Sequence, residues 1–482
     1  MTSTPIDLSS PRRVHIIGLG GSGMSAIAEI LIGTGHEVTG SDIATSKVLE
    51  RLVDRGVIAH VGRDATNLGD PDLVAISTAI PASNPEVVAA NERGIPVLRR
   101  AELLTAITRE WTTIAVAGTH GKTTTSAMLT IVLQHAGLDP AYIVGGDLRD
   151  LGRGAAVGQG QLLVVEADES DGTFVELVSD SVIVTNVEPD HLEHYGSFDN
   201  LSSTFDRFVA QAPGAKVVCI DDPGVTELID RHRAANPEAE HPDAAPLLTY
   251  GTHPDAMWRI VDPMPTPSGI SFDLEPRDDA PGADGGRQTV RLGQPGMHNA
   301  RNAAAAVVMA VAHGVEPAIA AAGASSFGGV GRRFEPRGEA NGIRLVDDYA
   351  HLPTEVASAL AAARSLKPAR LIAVFQPHRY SRTEQLHSTF GDAFVDADHL
   401  IVTGIYSANE APRPGITGSL IADRVRQSHP DAAVDYVESL DDVEDRIVEL
   451  ARPGDLILTL GAGDLTAMPS RLLPRLDQPR SS

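Results

Sequence analysis

The chain has 482 residues, enough for about three domains of about 150 residues each. Its 42% hydrophobic and 21% charged content is that of an ordinary globular protein. A formal charge of −25 repels nucleic acid and anionic membranes, so anionic ligands must be held by local cationic clusters.

A single cysteine, Cys219, excludes an intramolecular disulfide and a cysteine-based zinc site. Ser3 to Arg13 lacks an apolar signal core, and the longest apolar run, Ala303 to Ala312, has ten residues. A membrane span needs about 18. The expected location is the cytoplasm, without membrane insertion and without a nucleic-acid partner.

Val14–Ile17 reads as a strand, Met24–Ile32 as a helix, Glu37–Thr39 and Val74–Ser77 as further strands. Between the first strand and first helix stands Gly18-Leu-Gly-Gly-Ser-Gly23, with Asp42 at the end of the next strand, 19 residues past Gly23. Glycines there let a diphosphate approach the helix N-terminus through Gly20, Gly21, Ser22 and Gly23, and a carboxylate such as Asp42 can take a ribose or base. A dinucleotide, a UDP ligand or a merely structural turn all satisfy this pattern. A segment punctuated by Pro81 and Pro85 follows, and the polar stretch Thr105 to Glu110 is taken as the first boundary.

A second α/β unit starts at Trp111. The strand Thr113–Ala117 leads into Gly118-Thr-His-Gly-Lys122-Thr-Thr124, and a helix over Thr125–Leu133 follows. Strand, glycine turn, Lys-Thr and helix is the arrangement that cradles a nucleotide triphosphate. Backbone N–H groups of Gly118, Thr119, His120 and Gly121 face the phosphates, Lys122 supplies a cation, and a hydroxyl of Thr123 or Thr124 can reach magnesium. The strict phosphate-loop pattern is incomplete, because Val116 stands where its first glycine would be. Lys122 is expected on a solvent-facing loop.

Strands at Leu162–Glu166, Val182–Thr185 and Lys216–Ile220 are continuous apolar runs, as in a buried parallel sheet. Glu166-Ala-Asp-Glu-Ser-Asp171 and Thr185-Asn-Val-Glu-Pro-Asp-His191 lie at two of these strand exits, where hard oxygen ligands for Mg²⁺ are needed; His191 gains its interest from that company. Ile270–Leu274 and Gln288–Leu292 read as an antiparallel hairpin with a loose connector, and Asn302–His313 as an Ala-rich helix. Asn299 and Asn302 share one side of its opening turn, suited either to reading a nucleotide or to capping the helix.

Gly328-Gly-Val-Gly331 marks a second junction. Beyond it come strands at Ile343–Val346, Leu371–Phe375, Leu400–Val402, Val434–Tyr436 and Leu456–Leu460, and the last residues, Gln478–Ser482, read as frayed. Three polar knots interrupt the pattern: Gly331-Arg-Arg-Phe-Glu335, Asp347-Asp-Tyr-Ala-His-Leu-Pro353 and Gln376-Pro-His-Arg-Tyr-Ser-Arg-Thr383. Their arginines suit bidentate binding of phosphate or carboxylate, and strand ends converge on the crevice where α/β sheets bind ligands. The expectation is three α/β domains in series.

With these residues in place, the chain resembles the Mur ligases over essentially its full length. The likeness rests on Gly18–Met24, Gly118–Thr124, Glu166–Asp171, Thr185–Tyr195, His298–Asn302, Gly331–Glu335, Asp347–Pro353, Gln376–Thr383 and Gly461–Asp464, in family order. The Glu166–Asp171 and Gln376–Tyr380 runs resemble the alanine-adding branch. The resemblance implies a Rossmann-like UDP-substrate domain (1–109), a central phosphate-loop ATPase-type α/β domain (110–327) and a C-terminal Rossmann-like amino-acid domain (328–482). It implies ATP and Mg²⁺ as cofactors, UDP-N-acetylmuramate and L-alanine as small-molecule substrates, and a monomer or homodimer.

Carried over residue by residue, Lys122 and Thr123 hold the phosphates and the first Mg²⁺, with Glu166 as metal ligand and His191 at a second Mg²⁺. Asn302, Arg333 and Asp348 match ATP-contacting positions; Tyr349, His351, His378, Arg379 and Arg382 match the alanine pocket. Lys122, Glu166, His191 and Arg333 carry the catalytic roles. Two features depart from parts of the family: Leu352 stands where many members have a second histidine, and no lysine occurs between Lys122 and Lys216, where other Mur ligases carry a carbamylated one. The second absence agrees with the alanine-adding branch. An NAD(P)-dependent oxidoreductase using Gly18–Gly23 is a competing reading that leaves the Lys122 loop and both acidic clusters without a task; a non-catalytic nucleotide sensor is a third.

Overall fold

The computed structural model describes residues 6–235 and 247–478; of the expected frayed end, 479–482 lie outside the described residues. The first sheet has five parallel strands, β1 (Arg13–Ile17), β2 (Glu37–Asp42), β3 (Ile58–Val61), β4 (Leu73–Ile76) and β5 (Val97–Arg99), in the order β3-β2-β1-β4-β5. The order reverses between β1 and β4, which is the switch point where doubly wound sheets receive nucleotides. The Gly18–Gly23 loop leaves β1 at that point and enters the helix Ser22–Gly33. Short β3 and β5 were not foreseen, because four- and three-residue strands carry too little pattern.

The stretch chosen as the first boundary is structured. Residues 100–108 form a helix, and Ala106, Ile107 and Thr108 are buried. Its polar letters do not mark a loop: Thr108 donates its hydroxyl to Thr105 O and accepts from Val178 N, so both polar functions are satisfied inside, and the helix ends just before residue 109. One apolar cluster joins Val14, Ile16, Ile27 and Ile30 to Ala115, Ala117, Val165 and Phe205, so the first and second sheets share a core.

The central sheet contains β6 (Thr112–Ala117), β7 (Ala141–Leu148), β8 (Arg153–Ala156), β9 (Leu162–Glu166), β10 (Ser181–Val184), β11 (Lys216–Cys219) and β12 (Leu247–Gly251), ordered β12-β11-β10-β6-β9-β7-β8. All adjacent pairs are parallel except β7 with β8. β6 therefore lies between β9 and β10, and the two acidic strand exits flank the glycine turn that follows β6. β13 (Trp258–Pro265) pairs with β12 through Tyr250–Trp258 and Gly251–Arg259. In the expected hairpin, β14 (Ile270–Pro276) neighbours β15 (Gln288–Leu292), and Asp273 accepts from Arg287 and Thr289. The Ala-rich helix begins earlier than expected, at Met297, and runs to Ala312.

The C-terminal sheet comprises β16 (Glu335–Ala340), β17 (Ile343–Asp348), β18 (Leu371–Phe375), β19 (His399–Thr403), β20 (Val434–Val437) and β21 (Leu456–Leu460), ordered β16-β17-β21-β18-β19-β20. Only β16 is antiparallel; it was missed because a proline and a glycine interrupt it. β21 inserts between β17 and β18, so Asp347–Asp348, Gly461 and Gln376 stand at three adjacent strand ends. The chain thus has the three α/β sheets expected of it. Among the described residues no helix is long and apolar enough to cross a membrane.

Candidate functional site

At the first glycine loop, Gly18 N and Leu19 N donate to Ser41 O, and Gly20 N donates to Asp42 Oδ2 at 2.7 Å. Asp42 Oδ1 accepts from Ile43 N, so this carboxylate braces the loop as well as facing its mouth. The helix Ser22–Gly33 is capped by Gly21, and no side chain accepts from its first amides. Those donors are available to an anion.

The second turn is shaped by two glycines with left-handed backbones. At Gly118 (φ +136°) a Cβ would overlap Thr185 Oγ1, and at Gly121 (φ +81°) it would stand 2.6 Å from Asn302 Oδ1. The turn is clasped from the β10 side. His120 N donates to Asn186 Oδ1, Asn186 Nδ2 donates back to His120 O, and Thr119 Oγ1 accepts from Glu188 N. Glu188 Oε2 also lies 3.3 Å from His120 Nε2. Neither Asn186 nor Glu188 was singled out, although both lie in the Thr185–His191 run.

Lys122 is not solvent-facing. Its side chain is 13% exposed, and Nζ lies 2.9 and 2.8 Å from the two oxygens of Glu169 and donates to Gly118 O and Thr119 O. The cause is the excess of acid at the β9 exit, where a buried carboxylate needs a cation. Burial pushes Glu169 up to about 7, Asp168 adds to that, and Lys122 opposes it. Lys122 remains charged: burial disfavours its ammonium, but Glu169, Asp168 and Glu166 together raise its pKa.

Thr123 Oγ1 donates to Glu166 Oε1 at 3.0 Å, and Gly145 N donates to Oε2. Lys122, Thr123 and Glu166 therefore meet at one helix N-terminus. Among the described residues no group of three or more His, Cys, Asp or Glu is arranged to hold a metal ion. Mg²⁺ favours one or two carboxylates completed by water and substrate phosphates, and Thr123 with Glu166 fits such a partial set. His191 lies on the other flank, after β10, with left-handed backbone (φ +52°) and Nε2 3.3 Å from Asp190 Oδ2. Thr124 is buried in the same helix. Asn302 stands over Gly121, whereas Asn299 donates to Pro295 O at 2.8 Å, the capping arrangement.

The C-terminal unit assembles a second cluster. Asp348 is buried and accepts from Phe334 N at 2.7 Å and Ala350 N at 2.8 Å; burial pushes it up to about 6 against the pull of Arg333. The guanidinium groups of Arg332 and Arg333 lie 4.9 and 4.7 Å from the Tyr349 ring centre. His351 packs edge-on to Tyr349 and lies 5.6 Å, centre to centre, from His378. Arg382 Nη1 is 3.0 Å from His378 Nδ1. Burial, then His351, Arg382 and Arg379, push His378 down to about 3, so it is neutral and free to accept from Arg382. Arg379 (φ +67°) donates its backbone N–H to Tyr406 O. Tyr406 stacks on His378 and was not anticipated, since the loop after β19 bears no motif. Gln376 Nε2 donates to Asp464 Oδ1, tying β18 to the β21 exit. Leu352 is buried at the start of the helix Pro353–Ser365.

The models of three domains match in order: Mur ligase family, catalytic domain, over residues 13–112; Mur ligase middle domain over 116–310; and Mur ligase, glutamate ligase domain, over 332–463. The UDP-N-acetylmuramate–L-alanine ligase of Agrobacterium fabrum is 42% identical over 466 residues, 95% of this chain and 96% of the relative. The protein of the same name from Solidesulfovibrio magneticus is 44% identical over 460 residues, 94% and 96% of the two chains. Among solved structures, the UDP-N-acetylmuramate–alanine ligase of Thermotoga maritima superposes with a TM-score of 0.77 at 28% identity, covering 96% of this chain and 99% of that one. The chain belongs to the Mur ligase family.

Proposed function

We propose that this chain is the ATP-dependent ligase joining L-alanine to the lactyl carboxylate of UDP-N-acetylmuramate, giving UDP-N-acetylmuramoyl-L-alanine, ADP and phosphate for peptidoglycan synthesis. The observation that carries it is the turn Gly118–Gly121, with Lys122, Thr123 and Glu166 gathered at its helix N-terminus beside the acidic exit of β9. Relatives that bear this activity in their names share more than two fifths of its residues over nearly the whole chain. An oxidoreductase would leave that turn idle.

A carboxylate does not condense with an amine unaided, because its oxygen is a poor leaving group. In this reading the lactyl carboxylate attacks the γ-phosphorus of ATP and ADP departs. Alanine's amine then attacks the acyl carbon, and phosphate leaves with the C–O bond. Lys122 would leave Glu169 for the phosphates when ATP arrives, and Thr123 and Glu166 would hold Mg²⁺, with His191 at a second ion. When bound, the metal would supply positive charge between the two anions. Asn302, Arg333 and Asp348 are assigned to ATP; Gly20–Gly23 and Asp42 to the UDP portion. Tyr349, His351, Arg379 and Arg382 are assigned to alanine, with neutral His378 orienting the Arg382 fork toward its carboxylate.

The domains run 1–109, 110–327 and 328–482, and the protein works in the cytoplasm as a monomer or homodimer. The test is phosphate release over a panel of amino acids. Release that requires both UDP-N-acetylmuramate and L-alanine supports the ligase; absorbance change at the nicotinamide band, or nucleotide binding without turnover, overturns it.

A further inference from the structure

Arg100 has no part in the assignments above. It opens the helix Arg100–Thr108 directly after β5. Its guanidinium lies against Gly23 in the first turn of the helix Ser22–Gly33. A Cβ at Gly23 would stand 2.5 Å from Arg100 Nη1, 3.3 Å from Cδ and 3.5 Å from Cζ. Gly23 is not among the glycines with positive φ, so a side chain there would displace the Arg100 fork and would not strain the backbone.

Arg100 is half-buried, and it makes no hydrogen bond or ion pair with any described residue. Arg13 pairs with Asp70 and Asp72, Arg93 with Asp70, and Arg55 with Glu29, whereas Arg63, Arg99 and Arg109, whose side chains likewise pair with no described residue, are exposed and Arg100 is not. A guanidinium partly withdrawn from water with none of its donors hydrogen-bonded is costly. On one side it faces a helix N-terminus whose amides no side chain caps. On the other it acts electrostatically on Asp168, in the segment that holds Lys122.

We infer that Arg100 binds substrate: its fork takes an oxyanion of the sugar nucleotide lying between the first glycine loop and the Glu166–Asp171 segment. The inference rests on the ligase reading above. A planar donor fork suits two oxyanions of that substrate, the diphosphate and the lactyl carboxylate that becomes the acyl phosphate. Gly23 is then the residue that lets the fork reach the helix N-terminus.

The test uses the full chain carrying Arg100→Ala, Arg100→Lys or Gly23→Ala, with ATP affinity as the control for an intact fold. Calorimetry with UDP and with UDP-N-acetylmuramate is paired with rapid-quench measurement of acyl phosphate. Arg100→Ala should weaken the sugar nucleotide or slow acyl phosphate formation by about 10- to 100-fold, the worth of one hydrogen bond to a charged group, with ATP affinity kept. A matching loss for UDP alone assigns the fork to the diphosphate. Unchanged UDP binding with slow acyl phosphate assigns it to the carboxylate. Arg100→Lys should recover part of the loss, and Gly23→Ala combined with Arg100→Ala should be no worse than either alone. An Arg100→Ala enzyme with normal UDP-N-acetylmuramate binding and normal acyl phosphate formation overturns the inference while the ligase reading stands. A wild-type chain without alanine-dependent phosphate release overturns both.

Discussion

Replacing Lys122 by alanine should unseat a buried carboxylate as well as remove a phosphate-binding cation. Both Glu169 oxygens lie within 3 Å of Nζ, and Glu169 is almost wholly buried. With its folded pKa raised from 4.5 to about 7, the native state holds a proton that the unfolded chain has released. The stability this group contributes is full below pH 4.5 and is lost as pH rises through about 7. At 1.36 kcal/mol per unit that span amounts to about 3 kcal/mol. Without the lysine the raised pKa moves higher and the loss continues into alkaline solution. Lys122→Ala should therefore cost about 3–5 kcal/mol at pH 8.5, the range for a broken buried pair, and clearly less at pH 6, where Glu169 can be protonated. Lys122→Ala with Glu169→Gln should restore most of that stability, because no buried charge remains, yet leave phosphate release lowered by about 10²–10³. Urea unfolding of wild type and both variants at pH 6, 7 and 8.5, followed by circular dichroism, reads the stabilities, and a phosphate-release assay reads the activity. A single variant with the same deficit at every pH, or a deficit under about 1 kcal/mol, refutes the argument that Lys122 and Glu169 stabilise each other.

Asp42→Ala should weaken UDP-N-acetylmuramate binding and leave ATP affinity nearly unchanged, since Asp42 holds Gly20 N; calorimetric loss confined to ATP would mean the two nucleotide sites are exchanged. Arg382→Lys keeps the charge but not the fork, so the KM for L-alanine should rise while acyl phosphate still forms in a rapid quench; an unchanged alanine KM with a raised ATP constant would make Arg382 a phosphate ligand. Gly118→Ala should abolish ATP binding, because the added methyl overlaps Thr185 at a backbone angle alanine avoids; calorimetry that finds normal affinity would refute the loop geometry. Asp348 ionises near pH 6, so kcat/KM for ATP should fall on the acid side with a midpoint near 6, and Asp348→Asn should lose that limb; persistence of the limb would assign it to another group.

The long apolar strands and the glycine turns were legible because each repeats a strong local pattern. Leu162–Glu166, Leu371–Phe375 and Leu456–Leu460 appear with the bounds expected. β8 and β16 were not read, since short antiparallel edge strands with glycine carry no apolar run. At the sites, residue type and position on a strand exit were enough to nominate Thr123 with Glu166 and His378 with Arg382. What sequence could not order was the choice among equals. Glu166 and Glu169 lie three apart in one acidic run, yet the first meets Thr123 and the second is spent on Lys122. Asn299 and Asn302 look alike in one turn, yet one caps its helix and the other covers Gly121. Arg100 was invisible because its partner glycine lies in a different βα unit, and only the fold brings them together.

The account stands or falls on whether the lactyl carboxylate is phosphorylated before alanine attacks. UDP-N-acetylmuramate carrying ¹⁸O in that carboxylate, turned over with ATP and L-alanine, tests it by mass analysis of the released phosphate. The account predicts one ¹⁸O in each phosphate and the other in the new amide. Phosphate free of ¹⁸O, with amide product still formed, would contradict it.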